Sequence, residues 1–267
     1  MRTTSTKTTA WSSLLILLVL SGASLAAAET QVERLTWAGI KIVEGDTTVL
    51  IDPVATDLWD GKAPEGLVPV QADTRRRYAL ISHTHNDHFD VATLKTVLGD
   101  KGYVICDASI ASYVASRGLK VIPAEHYVPV SRGGMLFTPV PAVDGFGDKQ
   151  VSWIVTTGSG RYLHAGDTLW HGSWALLGQQ YGPFDAVFLP INGARVGSDV
   201  PAVMTPLQAV EASKQLRAKQ LVPIHFGLRN APGYIEVDEP LQTLQRLGLE
   251  REIEIRHLRP GEPLAGS

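Results

Sequence analysis

Short apolar runs rich in valine, isoleucine and leucine recur along the chain beyond residue 30. Runs of three to six such residues predict β-strands, because a partly buried strand needs only a few apolar positions. The predicted strands cover residues 32–37, 40–43, 47–51, 78–81, 103–106, 120–122, 135–140, 152–156, 161–164, 185–189, 221–225 and 253–255. So many short strands predict a fold built on β-sheets.

Apolar residues also recur at helical spacing between the predicted strands. Val91, Leu94 and Val97 fall on one helical face ahead of Gly99, a typical helix stop. Further helices are predicted over 108–116, from 205 to about 216, and around 241–247. Alternating strands and helices are typical of an α/β layer architecture. Because no linker interrupts residues 29–267, we predict a single α/β domain there.

The first 28 residues differ from the rest of the chain. Arg2 and Lys7 are positive, residues 14–20 are an unbroken apolar run, and residues 26–28 are the small residues of a cleavage site. This is the layout of a secretory signal peptide, and the run is too short for a permanent membrane span. We therefore predict a signal peptide over 1–28 and a periplasmic or secreted protein. An uncleaved anchor is the alternative.

Composition narrows the possible partners. The chain has 267 residues, of which 44% are hydrophobic and 19% charged, as in an ordinary globular protein. Without the leader, 22 basic residues stand against 27 acidic ones, a net charge of −5. No basic surface for nucleic acid is therefore expected. Cys106 is the only cysteine, so no intramolecular disulfide can form, and its apolar neighbours predict a core position.

The densest group of metal-ligand residues is the stretch 83–88, His-Thr-His-Asn-Asp-His, just after the predicted strand 78–81. In an extended segment alternate side chains point the same way, so His83, His85 and Asp87 can share one face. His88 then points elsewhere, and one short loop can serve two neighbouring metal ions. The alternative is a polar loop with chance histidines, which three histidines and an aspartate in six positions make a poor explanation.

Three later ligand-type residues also follow predicted strands: Asp144, Asp167 and His225. Each is weak evidence by itself, since an aspartate beside glycine is typical of a turn. Together with the stretch 83–88, their order resembles the metallo-β-lactamase-fold hydrolases over nearly all of 29–267. The resemblance is closest to the branch of bacterial ascorbate-6-phosphate lactonase and N-acyl-phosphatidylethanolamine phospholipase D. The stretches that carry it are 35–39, 50–53, 164–168 and 222–225.

The resemblance implies a four-layer αββα sandwich and two divalent metal ions. Zinc is the expected metal, with manganese or iron as alternatives. The implied ligands are His83 and His85 for the first ion, Asp87, His88 and His225 for the second, and Asp167 as a bridge between them. Asp52, in the stretch 50–53, either supports the metal site from behind or is simply a turn residue before proline.

One position departs from the family pattern. The third histidine of the first metal site is expected where this chain has Asp144. A carboxylate here would make the first site harder and better suited to manganese or iron. His126 could instead supply the ligand, or the first site could be weakened so that only the second ion binds.

The chemistry implied by the resemblance is hydrolysis by a metal-activated water, with Asp87 as a catalytic residue that orients the nucleophile or shuttles its proton. His171, Asn192 and Arg195 follow predicted strands or ligands closely and are candidates for binding substrate. The expected substrate is a small ester, lactone or phosphodiester. The alternatives are phospholipase-D-like hydrolysis of a lipid and a non-catalytic metal-binding or ligand-binding protein.

Overall fold

The computed structural model describes residue 1, residues 29–56 and residues 67–265. The predicted signal peptide, apart from Met1, lies outside the described residues. None of the described helices has both the length and the apolar character that crossing a bilayer requires.

In the described part of the chain, the first sheet consists of six strands in sequential order. They are β1 (Gln31–Arg34), β2 (Ile40–Glu44), β3 (Thr47–Ile51), β4 (Arg76–Ile81), β5 (Tyr103–Asp107) and β6 (Val121–Ala124). The first three pair antiparallel, and β3 to β6 pair parallel. Two helices, α1 (Val91–Leu98) and α2 (Ala111–Ser116), connect the last three strands. Helix α1 starts where the Asp90 side chain accepts a hydrogen bond from the Thr93 amide, and it ends at Gly99 with a φ of 53°.

Seven strands form the second sheet among the residues that the structure describes, in the order β15-β13-β11-β10-β9-β8-β7. They are β7 (Val130–Arg132), β8 (Met135–Pro141), β9 (Val151–Thr156), β10 (Arg161–His164), β11 (Ala186–Pro190), β13 (Gln220–Ile224) and β15 (Glu254–Ile255). A separate short pair is formed by β12 (Arg195–Val196) and β14 (Tyr234–Ile235). The helices of this half are α3 (Trp174–Tyr181), α4 (Pro206–Gln215) and α5 (Pro240–Arg251).

Three apolar clusters show that these elements form four layers. One cluster joins the inner faces of the two sheets and includes Ile51 of β3 and Phe188 of β11. The neighbouring Leu50 points the other way, into a cluster with α1 and α2, and Val187 points into a cluster with α3, α4 and α5. This period of two is what a strand buried on both faces requires. The predicted four-layer αββα sandwich is confirmed.

The pairing directions bring four strand ends to one edge of the sandwich. In the second sheet, β8 and β10 both pair antiparallel with β9, and β10, β11 and β13 run parallel. The carboxyl ends of β8, β10, β11 and β13 therefore lie along the same edge. The backbone of Val151 donates to the carbonyl oxygen of Ser82, just past β4, over 3.0 Å. The loop after β4 thus meets the second sheet at the edge where ligands commonly bind.

Candidate metal centre

Two groups of metal-ligand side chains meet at this edge within the described residues. The first holds His83, His85, Asp144 and Asp167, and the second holds Asp87, His88 and His225. Within each group the ligand atoms lie within 4.8 Å of one another. The structure therefore brings together all seven predicted metal ligands, from the loop after β4 and from the ends of β8, β10 and β13.

Asp167 lies between the two groups. Its Oδ2 is 3.6 Å from His83 Nε2 in the first group. The same oxygen is 3.9 Å from His88 Nε2 and 3.8 Å from His225 Nε2 in the second. Asp87 Oδ2 lies close by, 3.4 Å from His225 Nε2. This central place is the one expected of a bridging carboxylate.

Buried polar atoms without partners indicate that the centre fits metal ions. Burial of a polar atom that makes no hydrogen bond costs about 1–3 kcal/mol. Five such atoms, none with a hydrogen-bond partner among the described residues, are His83 Nε2, His88 Nε2, His225 Nε2, Asp144 Oδ2 and Asp167 Oδ1. Imidazole nitrogens and carboxylate oxygens together suit zinc, iron and manganese. The residues present thus fit two divalent cations.

The carboxylate of Asp144 takes the place predicted for a third first-site ligand. Its Oδ1 accepts the backbone amides of Phe146 at 2.6 Å and of Asp148 at 3.1 Å. Its Oδ2 is left facing His85 Nδ1 at 3.8 Å, and the side chain is fully buried. His126, the alternative, lies outside both groups with its Nε2 3.3 Å from Asp107 Oδ2. The contacts therefore favour a carboxylate in this position.

Of the two interpretations of Asp52, the contacts favour support of the metal centre over a simple turn residue before proline. His88 Nδ1 donates to Asp52 Oδ2 over 2.8 Å, which leaves Nε2 to face the centre. The amide and hydroxyl of Ser82 also donate to Asp52, over 2.8 and 2.5 Å. Burial would by itself raise the pKa of Asp52, but the hydrogen bond and the charge of His88 hold it below its usual value.

The other two histidines of the loop are also held by their second ring nitrogen. His83 Nδ1 lies 3.0 Å from the Ser82 hydroxyl. His85 Nε2 lies 2.9 Å from Asp148 Oδ2, so that Nδ1 faces the centre. Such partners fix the ring orientation of ligating histidines. Asp148 was not among the residues predicted from the sequence, and an acidic residue shortly after Asp144 is the only sequence signal for it.

Trp37 is a second functional residue that was not predicted individually, although it lies in the stretch 35–39. Its indole Nε1 donates to Asp87 Oδ2 over 3.0 Å. The centroid of its ring lies 4.3 Å from the centroid of the His225 ring. Both residues have left-handed backbones, with φ of 60° and 56°. Such conformations are unfavourable for large side chains and are concentrated at functional sites.

In the second ligand group, the carboxylates and the histidines shift one another's pKa values. Burial would raise the pKa of Asp87, but His88 and His225 outweigh it and hold this pKa well below the usual range. Burial would also lower the pKa of His88, but Asp87 and Asp52 raise it to about 10. Positive charge beside Asp87 is therefore favourable in the second ligand group, and a divalent cation would supply it.

The three predicted substrate-binding residues lie in different surroundings. The ring of His171 is half-buried and stacks on Trp174 at 4.0 Å, and its Nδ1 accepts the Ser173 amide over 3.2 Å. Asn192 is fully buried, and its amide contacts other side chains of the protein. Arg195 is half-buried on β12. None belongs to the two ligand groups, so their contact with substrate stays a prediction.

Exposed apolar side chains border the first ligand group. Phe146 is 54% exposed, and its ring lies 5.8 Å from that of His85. Val143 and Trp170 are 43% and 36% exposed. Their loops are joined, because the Leu169 amide donates to the Val143 carbonyl oxygen over 2.8 Å. We call Val143, Phe146 and Trp170 the apolar rim.

Comparison with known proteins gives one family and several relatives. Residues 47–226 match the family described as Beta-lactamase superfamily domain. A UPF0173 metal-dependent hydrolase from Rubrobacter xylanophilus is 33% identical over 241 residues, which cover 82% of this chain and 89% of that protein.

Solved structures show the same fold. A metallo hydrolase from the hyperthermophilic archaeon Ignicoccus hospitalis has a TM-score of 0.66 at 20% identity, covering 88% of this chain and 97% of the other. CmlA, a diiron β-hydroxylase from Streptomyces venezuelae, has a TM-score of 0.70 at 18% identity, covering 89% of this chain and 54% of the other.

Proposed function

The chain belongs to the β-lactamase superfamily and is a metal-dependent hydrolase, and from this premise we propose that its substrate is a small ester, lactone or phosphodiester. The observation that carries the proposal is the meeting of two ligand groups at Asp167. The resemblance to the lactonase and phospholipase D branch adds support. The prediction of a metal-dependent hydrolase is confirmed, which removes the non-catalytic alternative.

We propose zinc as the metal, with iron or manganese as alternatives. The first group offers two imidazoles and the carboxylate of Asp144, and Asp167 is shared with the second group. Divalent ions bound here would lower the pKa of a water molecule and polarise the carbonyl or phosphoryl group that it attacks. The carboxylate of Asp144 adds a hard ligand that favours iron or manganese. CmlA, part of which shares this fold, is a diiron β-hydroxylase, and this similarity supports iron as one of the alternatives.

Asp87 would orient the attacking water rather than accept its proton as a general base. The lowered pKa of this carboxyl favours its ionised form, which accepts hydrogen bonds. The indole of Trp37 fixes one of its oxygens over 3.0 Å. A carboxylate held in this way can select the direction from which water approaches the substrate.

The apolar rim favours a substrate with an apolar group beside the scissile bond. Phe146 lies against the ring of His85, so any substrate at the first ligand group would also contact this rim. The same rim favours a second candidate function, hydrolysis of a lipid phosphodiester. A lipid substrate would also fit an enzyme exported by the predicted leader.

We further propose that the protein is exported and that residues 1–28 are removed. Subcellular fractionation with N-terminal sequencing of the mature protein tests this part. A mature chain that begins near Glu29 in the exported fraction is expected, and a full-length chain retained in the cytoplasm would contradict it.

Turnover measurements test the reaction. The mature protein is stripped of metal, reloaded separately with zinc, iron and manganese, and assayed with p-nitrophenyl esters, lactones, bis(p-nitrophenyl) phosphate and a phospholipid. Asp167→Asn is expected to lower turnover by about 100-fold or more, because the shared ligand is lost. Asp100→Asn, at an exposed site, is the matched control. Lack of turnover in every class with every metal would overturn the proposal.

A further inference from the structure

One fully buried histidine close to the metal centre belongs to neither ligand group. His164 is the last residue of β10, and Asp167 follows it in the loop after that strand. The preceding residues alternate, because Tyr162 belongs to the apolar cluster between the sheets and Leu163 to the cluster with α3, α4 and α5. His164 therefore points into the space between the two sheets.

Both ring nitrogens of His164 have main-chain partners, in two different segments of the chain. Nε2 donates to the Ala38 carbonyl oxygen over 2.7 Å, and the Gly166 amide donates to Nδ1 over 3.2 Å. A carbonyl oxygen only accepts and an amide N–H only donates, so the two bonds together require the neutral ring with its proton on Nε2. Asp52 Oδ2 lies 4.0 Å from Nδ1, which is beyond hydrogen-bond distance.

The first partner, Ala38, directly follows Trp37 in the chain. Trp37 contacts the second ligand group twice, through its hydrogen bond to Asp87 and through its ring against His225. Its left-handed backbone, with a φ of 60°, is unfavourable for a large side chain and persists only where surrounding contacts hold it. The bond from His164 to the next carbonyl group is one such contact.

The second partner, Gly166, directly precedes Asp167, which lies between the two ligand groups. The backbone of Gly166 has a φ of 68°, and a Cβ there would lie 2.6 Å from Gln150 Nε2 and 3.1 Å from Ser82 Cβ. The loop is thus closely packed beside the segment that carries the first ligands. A displacement of Gly166 would move the Asp167 carboxylate, and the bond to His164 opposes it.

We propose that His164 is a positioning residue that couples the Trp37 turn to Asp167. This role rests on the proposed function, because it takes Asp167 as a ligand shared by two metal ions. One rigid ring fixes the separation between the Ala38 carbonyl and the Gly166 amide. It thereby fixes the indole that orients Asp87 relative to the shared carboxylate, and such supporting contacts determine both metal affinity and the geometry of attack.

Two substitutions separate the two hydrogen bonds of His164. Asparagine places an acceptor oxygen where Nδ1 lies, so His164→Asn keeps the bond from Gly166 and loses the bond to Ala38. Glutamine places an amide N–H where Nε2 lies, so His164→Gln keeps the bond to Ala38 and loses the acceptor for Gly166. The two variants therefore release the Trp37 turn and the Asp167 loop one at a time.

Metal affinity of the mature protein, measured for zinc by competition with a chromophoric chelator, tests the connection to Asp167. We expect His164→Gln to weaken zinc binding about tenfold, because the loop of the shared ligand is no longer held. His164→Asn should stay within about twofold of the parent, because its bond to Gly166 is kept. Equal zinc affinities in the two variants would overturn the proposal.

Kinetics of the zinc-loaded enzyme test the connection to Trp37. With the best p-nitrophenyl substrate of the parent, His164→Asn should lower kcat about tenfold with little change in KM, because Asp87 is oriented less well. In the Trp37→Phe background the same change should add less than about twofold, because both substitutions act on one interaction. Additive losses of kcat would contradict the coupling.

Two controls distinguish positioning from general destabilisation. Leu247→Ala removes a buried side chain of α5 and should lower the free energy of unfolding in urea without changing zinc affinity. Tyr113→Phe changes an exposed residue of α2 and should match the parent throughout. A loss of zinc affinity in Leu247→Ala as large as in His164→Gln would overturn the proposal. Absence of turnover by the parent would refute the proposed hydrolysis alone, since the difference in zinc affinity between the two His164 variants would still support the coupling.

Discussion

The indole of Trp37 donates its hydrogen bond to Asp87 Oδ2 over 3.0 Å while its ring packs against His225. One side chain thus contacts two residues of the second ligand group. We expect Trp37→Phe to keep most of the ring contact and to remove the donor to Asp87. The loss of one charge-assisted hydrogen bond predicts a fall in kcat/KM of about tenfold. Trp174→Phe, on α3, is the comparison, because it removes a buried indole whose Nε1 makes no hydrogen bond among the described residues. Equal losses in both variants would contradict the role of the Trp37 hydrogen bond.

Metal content distinguishes the three alternatives at Asp144. Its unpartnered Oδ2 faces His85 in a fully buried position, so we expect about two metal ions per mature chain. Asp144→Ala should lower this to about one, because the first group loses a carboxylate. His126→Ala should change nothing, because His126 lies with Asp107 outside both groups. One ion per chain in the parent, unmoved by either change, would contradict a binuclear centre.

The hydrogen bond between Asp52 and His88 predicts an effect on metal affinity. Asp52→Asn keeps the size of the side chain but weakens the acceptor that orients His88. Loss of such a support typically lowers metal affinity about 10- to 100-fold, which competition with a chromophoric chelator measures. Asp73→Asn is the matched control, because Asp73 also accepts hydrogen bonds, from Thr48 and Arg75, away from the ligand groups. A similar loss in both variants would indicate general destabilisation.

The ligands themselves could be predicted from the sequence, because each lies next to a strand end. Local order in the chain was enough for His83, His85, Asp87 and His88, and parallel strand ends meet at one edge of a sheet. The supporting contacts could not be predicted in this way. Asp148 is 63 residues from His85, and only the packing of two loops brings their side chains together.

Helix α3 was not predicted for a different reason. Its eight residues include a glycine, no side chain caps its start, and only Trp174, Leu177 and Gly178 are buried. So short an apolar face does not produce a recognisable helical period. Close packing explains the glycine, because a Cβ at Gly178 would lie 1.9 Å from the carbonyl oxygen of Gln215 on α4. Such a contact becomes visible only in the folded structure.

The apolar rim predicts selectivity for the apolar part of the substrate. Phe146→Ala should lower kcat/KM about tenfold for p-nitrophenyl octanoate and less for the acetate, because the longer chain loses more contact area. Leu249→Ala, which removes an 85% exposed leucine of α5, is the matched control. An equal loss with both esters would show that Phe146 supports His85 rather than the substrate.

Because the imidazole of His171 is partly buried, we expect the stability of the fold to depend on pH. Burial lowers the pKa of its imidazole from 6.5 to about 4, whereas the unfolded chain keeps the ordinary value. Between pH 6.5 and 4, His171 is therefore protonated in the unfolded state but not in the folded state. The free energy of unfolding falls as the pH drops through this range and levels off below pH 4.

His171→Phe keeps a ring beside Trp174 and removes the titrating group. The metal-free variant should lose less stability between pH 7 and 4.5 than the parent. Because His171 is only half-buried and solvent screens part of the effect, we expect a difference of about 1 kcal/mol in urea denaturation. Tyr113→Phe should follow the parent, and an identical pH dependence in His171→Phe would contradict the burial of a neutral imidazole.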